Sequence, residues 1–203
     1  MTRLLVIDSA TEACSVALFD QGGLLAGQYL ELGRGHAERL VPMIADLPDH
    51  GRAARIMVNL GPGSFTGIRV GIAAARALGL AWDVPVGGYG CLDLVAAMAR
   101  ADCPGHDIDV VMTGGHGEWF HACYDAAGAP VSPLASLPPD AVIDRARAAV
   151  VCGSQADAVA AQTGARAMVM RPDARRFNRL NRAAWQQSVS PVYGRAPDAR
   201  LPG

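Results

Sequence analysis

Two short segments hold the residues best suited to chemistry. The first is the loop Gly61-Pro62-Gly63-Ser64-Phe65-Thr66-Gly67, placed between an apolar strand pattern and a helix pattern. Backbone N–H groups at a helix start, aided by the helix dipole, favour an anion. Gly61, Gly63 and Gly67 let the backbone turn sharply and approach a ligand or another chain closely. The loop is not a Walker A sequence, which needs G-x-x-x-x-G-K-[ST], because all 18 basic residues are arginine. Nor is it G-x-G-x-x-G, since Thr66 stands where the third glycine belongs. Taken alone, the loop reads equally as a tight turn with Ser64 or Thr66 as helix N-cap. The second segment is a strand ending in Asp8, a turn carrying Ser9 and Thr11, and a returning strand. That is the layout of a phosphate hairpin; a turn-stabilising aspartate is the competing reading.

The other candidates fall short of a site. His36, His50, His106, His116 and His121 include no H-E-x-x-H. His116 and His121, five apart, are expected on opposite faces of a strand, so no metal site is expected. His36 is expected to cap or polarise the entry to the first helix. Ser64 is not in a G-x-S-x-G elbow. Cys14, Cys91, Cys103, Cys123 and Cys152 form no C-x-x-C, which excludes a zinc clip and a thioredoxin-type pair. No residue is assigned a catalytic role.

The elements that would position these residues follow from composition and period. The chain has 203 residues, 51% hydrophobic and 18% charged, with a net charge of −1. It can bury a core, and nothing in its overall charge advertises nucleic acid. The length suits one large α/β domain or two small lobes. No signal h-region follows Arg3, and the longest apolar stretch, Ile72–Trp82, is interrupted by Arg76 and too short to span a bilayer. A cytoplasmic protein with reduced thiols is the expectation.

Strands are predicted at 3–8, 14–19 and 24–31, joined by tight turns into a meander. Helices are predicted at about 36–48, 66–82 and 92–100, with strands at 55–60 and 84–87 between them. The pattern restarts near 101–106, with strands at 107–113, 118–125 and 149–152 and helices at about 154–163 and 174–187. This gives an N-terminal lobe, 1–103, and a smaller C-terminal lobe, 104–203. Residues 101–165 carry two arginines and eight acids, whereas 166–203 carry eight arginines and two acids. Arg171, Arg175, Arg176, Arg179 and Arg182 cluster with Phe177 and Trp185, and 175, 179 and 182 would share a helical face. RNA phosphates could bind there; a solvated face, or pairing with the acidic segment, is the favoured reading.

The helix at 66–82 is apolar nearly all round, so it asks for burial on two sides. Ile68, Ile72 and Ala75 with Leu40, Val41 and Ile44 of the first helix are candidate docking anchors, and His36, Arg69 and Arg76 complete the candidate interface. Burial wholly inside the lobe is the alternative.

Several segments together identify a resemblance: MTRLLVIDSATEACSVALFD, HAERLVPMI, GPGSFTGIRVGIAAARALGL and VPVGGYGCLDLVA. They strongly resemble the TsaB family, also called YeaZ, over residues 1–99. Further on, Gly117-Glu118-Trp119-Phe120 looks like the family's G-E-[VI]-[YF], and Pro191-Val192-Tyr193-Gly194-Arg195 like its P-x-Y-x-R end. Thr113-Gly114-Gly115 stands where the family has Asp-Ala-Arg. The resemblance implies a two-lobed, actin-like (ribonuclease H-like) α/β fold opened by the three-strand meander. Asp8, Ser9, Thr11, Gly61, Gly63, Ser64, Thr66 and Gly67 would then be a vestigial phosphate site. It also implies a non-catalytic subunit of the bacterial complex making threonylcarbamoyl-adenosine in tRNA. Such a subunit docks through its first two helices on a catalytic paralogue, TsaD, and an ATPase, TsaE, joins them. The paralogue carries H-x-x-x-H on its first helix; here His36 is followed four residues on by Leu40. No cofactor is implied for the isolated chain. ATP or ADP is a candidate at the complex interface, tRNA is reached through the complex, and a homodimer is a candidate form of the chain alone. The alternatives are an ATP-dependent actin-like phosphotransferase and a metallopeptidase-like hydrolase.

Overall fold

A computed structural model describes residues 3–194. It contains two five-stranded sheets of matching design. In the first, β1 (Leu4–Asp8), β2 (Ala13–Asp20) and β3 (Gly23–Glu31) form the antiparallel meander. Strands β4 (Arg55–Asn59) and β5 (Val86–Tyr89) add in parallel beside β1, giving the order β3-β2-β1-β4-β5. Helix α1 (His36–Ala45) leads from β3 to β4, and α2 (Phe65–Trp82) from β4 to β5. In the second sheet, β6 (Ile108–Thr113), β7 (Trp119–Tyr124) and β8 (Ala135–Leu137) form another meander. Strands β9 (Val150–Cys152) and β10 (Arg166–Met168) then add in parallel beside β6, giving β10-β9-β6-β7-β8. Helices α4 (Pro139–Ile143) and α5 (Ala156–Thr163) make its crossovers. The same path is thus traced twice although the two halves share no detectable sequence repeat. This is the two-lobed actin-like arrangement.

Helix α3 (Cys91–Asp102) joins the two sheets and is the element buried on several sides. Leu92, Val95, Ala96 and Ala99 pack on Ile108, Val110 and Phe120 of the second sheet, while Leu94 and Met98 pack on Val6 and Met57 of the first. The near-continuous apolar run 94–99 is explained by this double contact. Helix α2 buries Gly67, Ile68, Gly71, Ile72, Ala75 and Gly79 against Leu5, Ile7, Val58 and α1, and leaves its other side to solvent. Burial on two sides, expected of α2 from its nearly all-round apolar sequence, is found among the described residues at α3 instead.

The predicted helix at 174–187 is not formed. The segment makes two single 3-10 turns, Ala174–Arg179 and Arg182–Ala184, started by Asp173 and Asn181 side chains that accept from the Arg175 and Ala183 amides. Phe177 and Leu180 plug the face of the first sheet that α1 and α2 do not cover, meeting Phe19 and Tyr89. Arg175, Arg179 and Arg182 consequently share no helical face. Several arginines of this stretch find carboxylates instead: Arg176 pairs with Asp102 at 2.6 Å, Arg175 with Asp173 at 2.7 Å, and Arg171 with Glu31 and Glu12 at 3.3 and 3.4 Å. Beyond Gln186, which bridges to Gly88 at the β5 edge, the chain runs along α2 to Gly194. Arg195 of the P-V-Y-G-R sequence lies outside the described residues. Strands β8 and β10 and helix α4 were not anticipated. Among the described residues, no helix is long and apolar enough to cross a membrane.

Candidate functional site: a sealed hairpin, a glycine loop and an open helix face

The parallel strands β1, β4 and β5 end side by side in Asp8, Asn59 and Tyr89. All three are buried, and they bond to one another. One Asp8 oxygen accepts from Asn59 Nδ2 at 2.7 Å and from the Tyr89 hydroxyl at 2.9 Å; the other accepts from the Ala10 amide at 3.3 Å. Burial pushes the Asp8 carboxyl up to about 6, against the opposing pull of these hydrogen bonds. The same burial, with Asp8 beside it, raises the Tyr89 hydroxyl well above its ordinary value. Both Asp8 oxygens are thus engaged inside the protein. Sequence reading missed Asn59 and Tyr89; the signal was a polar residue closing each of three adjacent apolar strands.

The 61–67 loop lies directly on the 8–12 turn. The Ser64 amide donates to the Ala10 carbonyl at 2.7 Å, and the Ser9 hydroxyl donates to the Gly67 carbonyl at 2.9 Å. Ser64 is the α2 N-cap, its hydroxyl accepting from the Gly67 amide at 3.2 Å, so the N-cap reading is correct for Ser64 and not for Thr66, which is exposed. Gly61 is held by Asn59, whose side-chain oxygen accepts its amide at 2.8 Å, and Thr11 accepts from the Ala13 amide. The two segments named from sequence are therefore brought together, but the amides at 64 and 67 are spent inside the protein. Glycine is required here for close approach. A Cβ at Gly63 would lie 2.0 Å from the Ala10 carbonyl oxygen, and one at Gly67 2.1 Å from that of Ser9. Above them opens a cleft of about 360 Å³, bounded by Ala10–Glu12, Pro62–Phe65 and Met112–Gly115. Thr113 is fixed there by Ser154, which accepts its amide at 2.9 Å, and by Gln155, which donates to its hydroxyl at 2.8 Å.

The candidate interface residues divide into two sets. Leu40, Ile44, Ile68, Ile72 and Ala75 belong to the core, so they hold α1 and α2 to the sheet and cannot meet a partner without opening it. His36 is also buried, its Nε2 3.3 Å from the Ala13 carbonyl oxygen, which ties the start of α1 to β2. Val41, Arg69 and Arg76 face outward. Arg69 stacks on Phe65, its guanidinium carbon 3.6 Å from the ring centroid, and donates to the Tyr193 hydroxyl at 3.0 Å. Arg76 donates to the Val189 carbonyl at 2.7 Å. The open face of the helix pair carries Ala37 and Val41 on α1 with Ala73, Ala77 and Leu80 on α2. Val41 is 58% exposed and Leu80 87%, unusual for large aliphatic side chains on adjoining helices.

The remaining candidates have structural roles. His121 is buried with its Nε2 2.7 Å from Asp109, and Asp109 also accepts the Arg147 and Ala148 amides at 2.8 Å. His116 sits in the β6–β7 turn rather than in a strand, so the opposite-face argument does not apply to it. Among the described residues no group of three or more His, Cys, Asp and Glu side chains could hold a metal ion.

A family of domains described as "TsaD: tRNA N6-adenosine threonylcarbamoyltransferase" matches residues 31–183 of this chain. YeaZ from Pseudomonas aeruginosa superposes with a TM-score of 0.79 at 28% identity, covering 95% of this chain and all of that one. The chain belongs to the TsaB/YeaZ family. Family relatives include the tRNA threonylcarbamoyladenosine biosynthesis protein TsaB of Escherichia coli, 41% identical over 100 residues, which are 46% of this chain and 42% of that protein. Its Bacillus subtilis counterpart is 29% identical over 102 residues, 48% of this chain and 44% of that one. The matched stretch therefore spans less than half the length of these curated relatives.

Proposed function

We propose that the chain serves threonylcarbamoyladenosine biosynthesis in tRNA as a non-catalytic, activating subunit. It works by docking the open face of α1 and α2 on a homologous TsaD-like transferase, and a TsaE-like ATPase joins the pair. The observation that carries this reading is the exposed aliphatic face around Val41 and Leu80, beside a hairpin whose aspartate is turned inward. The names of the TsaB relatives support the pathway. On this reading tRNA is contacted mainly through the complex, in the cytoplasm, and ATP or ADP sits at the subunit interface rather than on the 61–67 loop. The actin-like phosphotransferase alternative needs Asp8 facing the cleft, and the peptidase-like alternative needs a ligand set; the geometry supports neither.

The test is co-purification with the transferase. Val41→Glu and Leu80→Glu place a carboxylate where an interface would desolvate it. Each variant should keep its circular dichroism spectrum and bind the transferase at least about tenfold more weakly, with modification of tRNA falling in step. Folded variants that still bind would place the interface elsewhere. ATP turnover by the isolated chain, lost in Asp8→Ala, would replace this reading with the phosphotransferase.

A further inference from the structure

On the face of the first sheet away from α1 and α2, strand register lines up Phe19, Leu4 and Arg55 in one row at the end remote from Asp8. The 3-10 segments that cover this face contribute Phe177, Arg182 and Trp185 to the same place. Together they bound a cleft of about 620 Å³, within the range of small-ligand sites. Its floor is aromatic, with Phe177 and Trp185 ring centroids 5.3 Å apart. Its rim is basic. Arg3 is neutralised by Asp49 and Asp20. Arg55 and Arg182, in contrast, have no carboxylate partner among the described residues, and Arg55 is half-buried. Arg182 lies 5.4 Å from the centre of the Trp185 ring. Trp185 Nε1 is buried away from solvent and finds no hydrogen-bond partner among the described residues.

Two features ask for one kind of ligand. Two unpaired guanidinium groups ask for an anion of phosphate type. The aromatic floor asks for a planar ring. A hydrocarbon would strand the arginines, and a bare phosphate would leave the aromatic floor wet. We infer that this cleft binds a nucleoside monophosphate unit, phosphate on Arg55 and Arg182 and base against Trp185. The unit comes either from a free nucleotide or from a single RNA strand. The inference does not depend on the docking role of α1 and α2.

The experiment titrates the full chain with AMP, adenosine, inorganic phosphate and a short single-stranded RNA, following binding heat and the Trp185 indole N–H resonance, which Trp185→Phe assigns by removing it. AMP or the RNA should shift that resonance, with adenosine and phosphate each weaker. Arg55→Gln and Arg182→Gln, checked for folding by circular dichroism, should each weaken binding about tenfold. AMP bound at least as well as the RNA identifies a free-nucleotide site, and preference for the RNA identifies a strand contact. Neither probe moving the Trp185 resonance at millimolar concentration, or binding unchanged in both arginine variants, overturns the inference.

Discussion

Replacing Asp8 with asparagine is expected to stabilise the protein at neutral pH and to remove a fall in stability between about pH 4 and pH 6. The Asp8 carboxyl is raised from 3.8 to about 6 by burial. The folded protein therefore holds a proton that the unfolded chain releases near pH 4. Stability linked to that proton is fully present below pH 3.8 and is lost as pH rises through about 6. A shift of this size corresponds to about 3 kcal/mol at pH 7. An amide at position 8 can still accept from Asn59 and Tyr89, but its NH₂ opposes the Ala10 amide, which costs about 1 kcal/mol. The net gain expected at pH 7 is about 2 kcal/mol, read by urea unfolding at acid and neutral pH. Equal pH profiles for the two proteins would show that Asp8 titrates normally and stands open to the cleft.

Gly67→Ala and Gly63→Ala should be among the most damaging single-methyl changes in the chain. The added Cβ would meet backbone oxygens, at 2.1 Å from Ser9 and 2.0 Å from Ala10, and a carbonyl cannot swing aside as a side chain can. Either the loop lifts from the hairpin or β1 shifts, at a cost of about 3 kcal/mol. Gly115→Ala is the control, because its Cβ would meet nothing within 4 Å. That change should alter stability by no more than about 0.5 kcal/mol. Thermal unfolding decides the matter: a Gly67→Ala protein as stable as Gly115→Ala would mean that the loop does not rest on the turn.

Much of the fold was legible in the sequence because its signals are local. The meander announces itself through β-branched runs around Asp20-Gln21-Gly22-Gly23, and α1 through the spacing of His36, Leu40, Ile44 and Leu47. The segment 174–187 was misread because Phe177, Leu180 and Trp185 at helix-like spacing pack equally well as plugs on a sheet, and only tertiary contact distinguishes the two. The three-residue strands β8 and β10 are too short to carry a period. At the site, Asp8 and the glycine loop were visible as motifs. Their sealing was not, because Asn59 and Tyr89 are remote in sequence and meet Asp8 only through sheet register. The outward residues of the helix pair were half legible. Period gives the apolar face of α1, but which flank meets the sheet is fixed by the crossover geometry, and this sends Ile72 inward and Leu80 outward.

The return of residues 174–185 to the first sheet also governs how the protein comes off the ribosome. Phe19 and Tyr89 lie early in the chain, yet Phe177 and Leu180, which pack on them, follow the whole of the second sheet in sequence. The first sheet can therefore acquire α1, α2 and α3 during synthesis, but the part of its other face that α3 leaves bare stays open until the second sheet has been translated. The order of synthesis thus makes the nascent N-terminal half a client for whatever shields exposed apolar surface at the tunnel exit, and ties completion of both halves to a single late step.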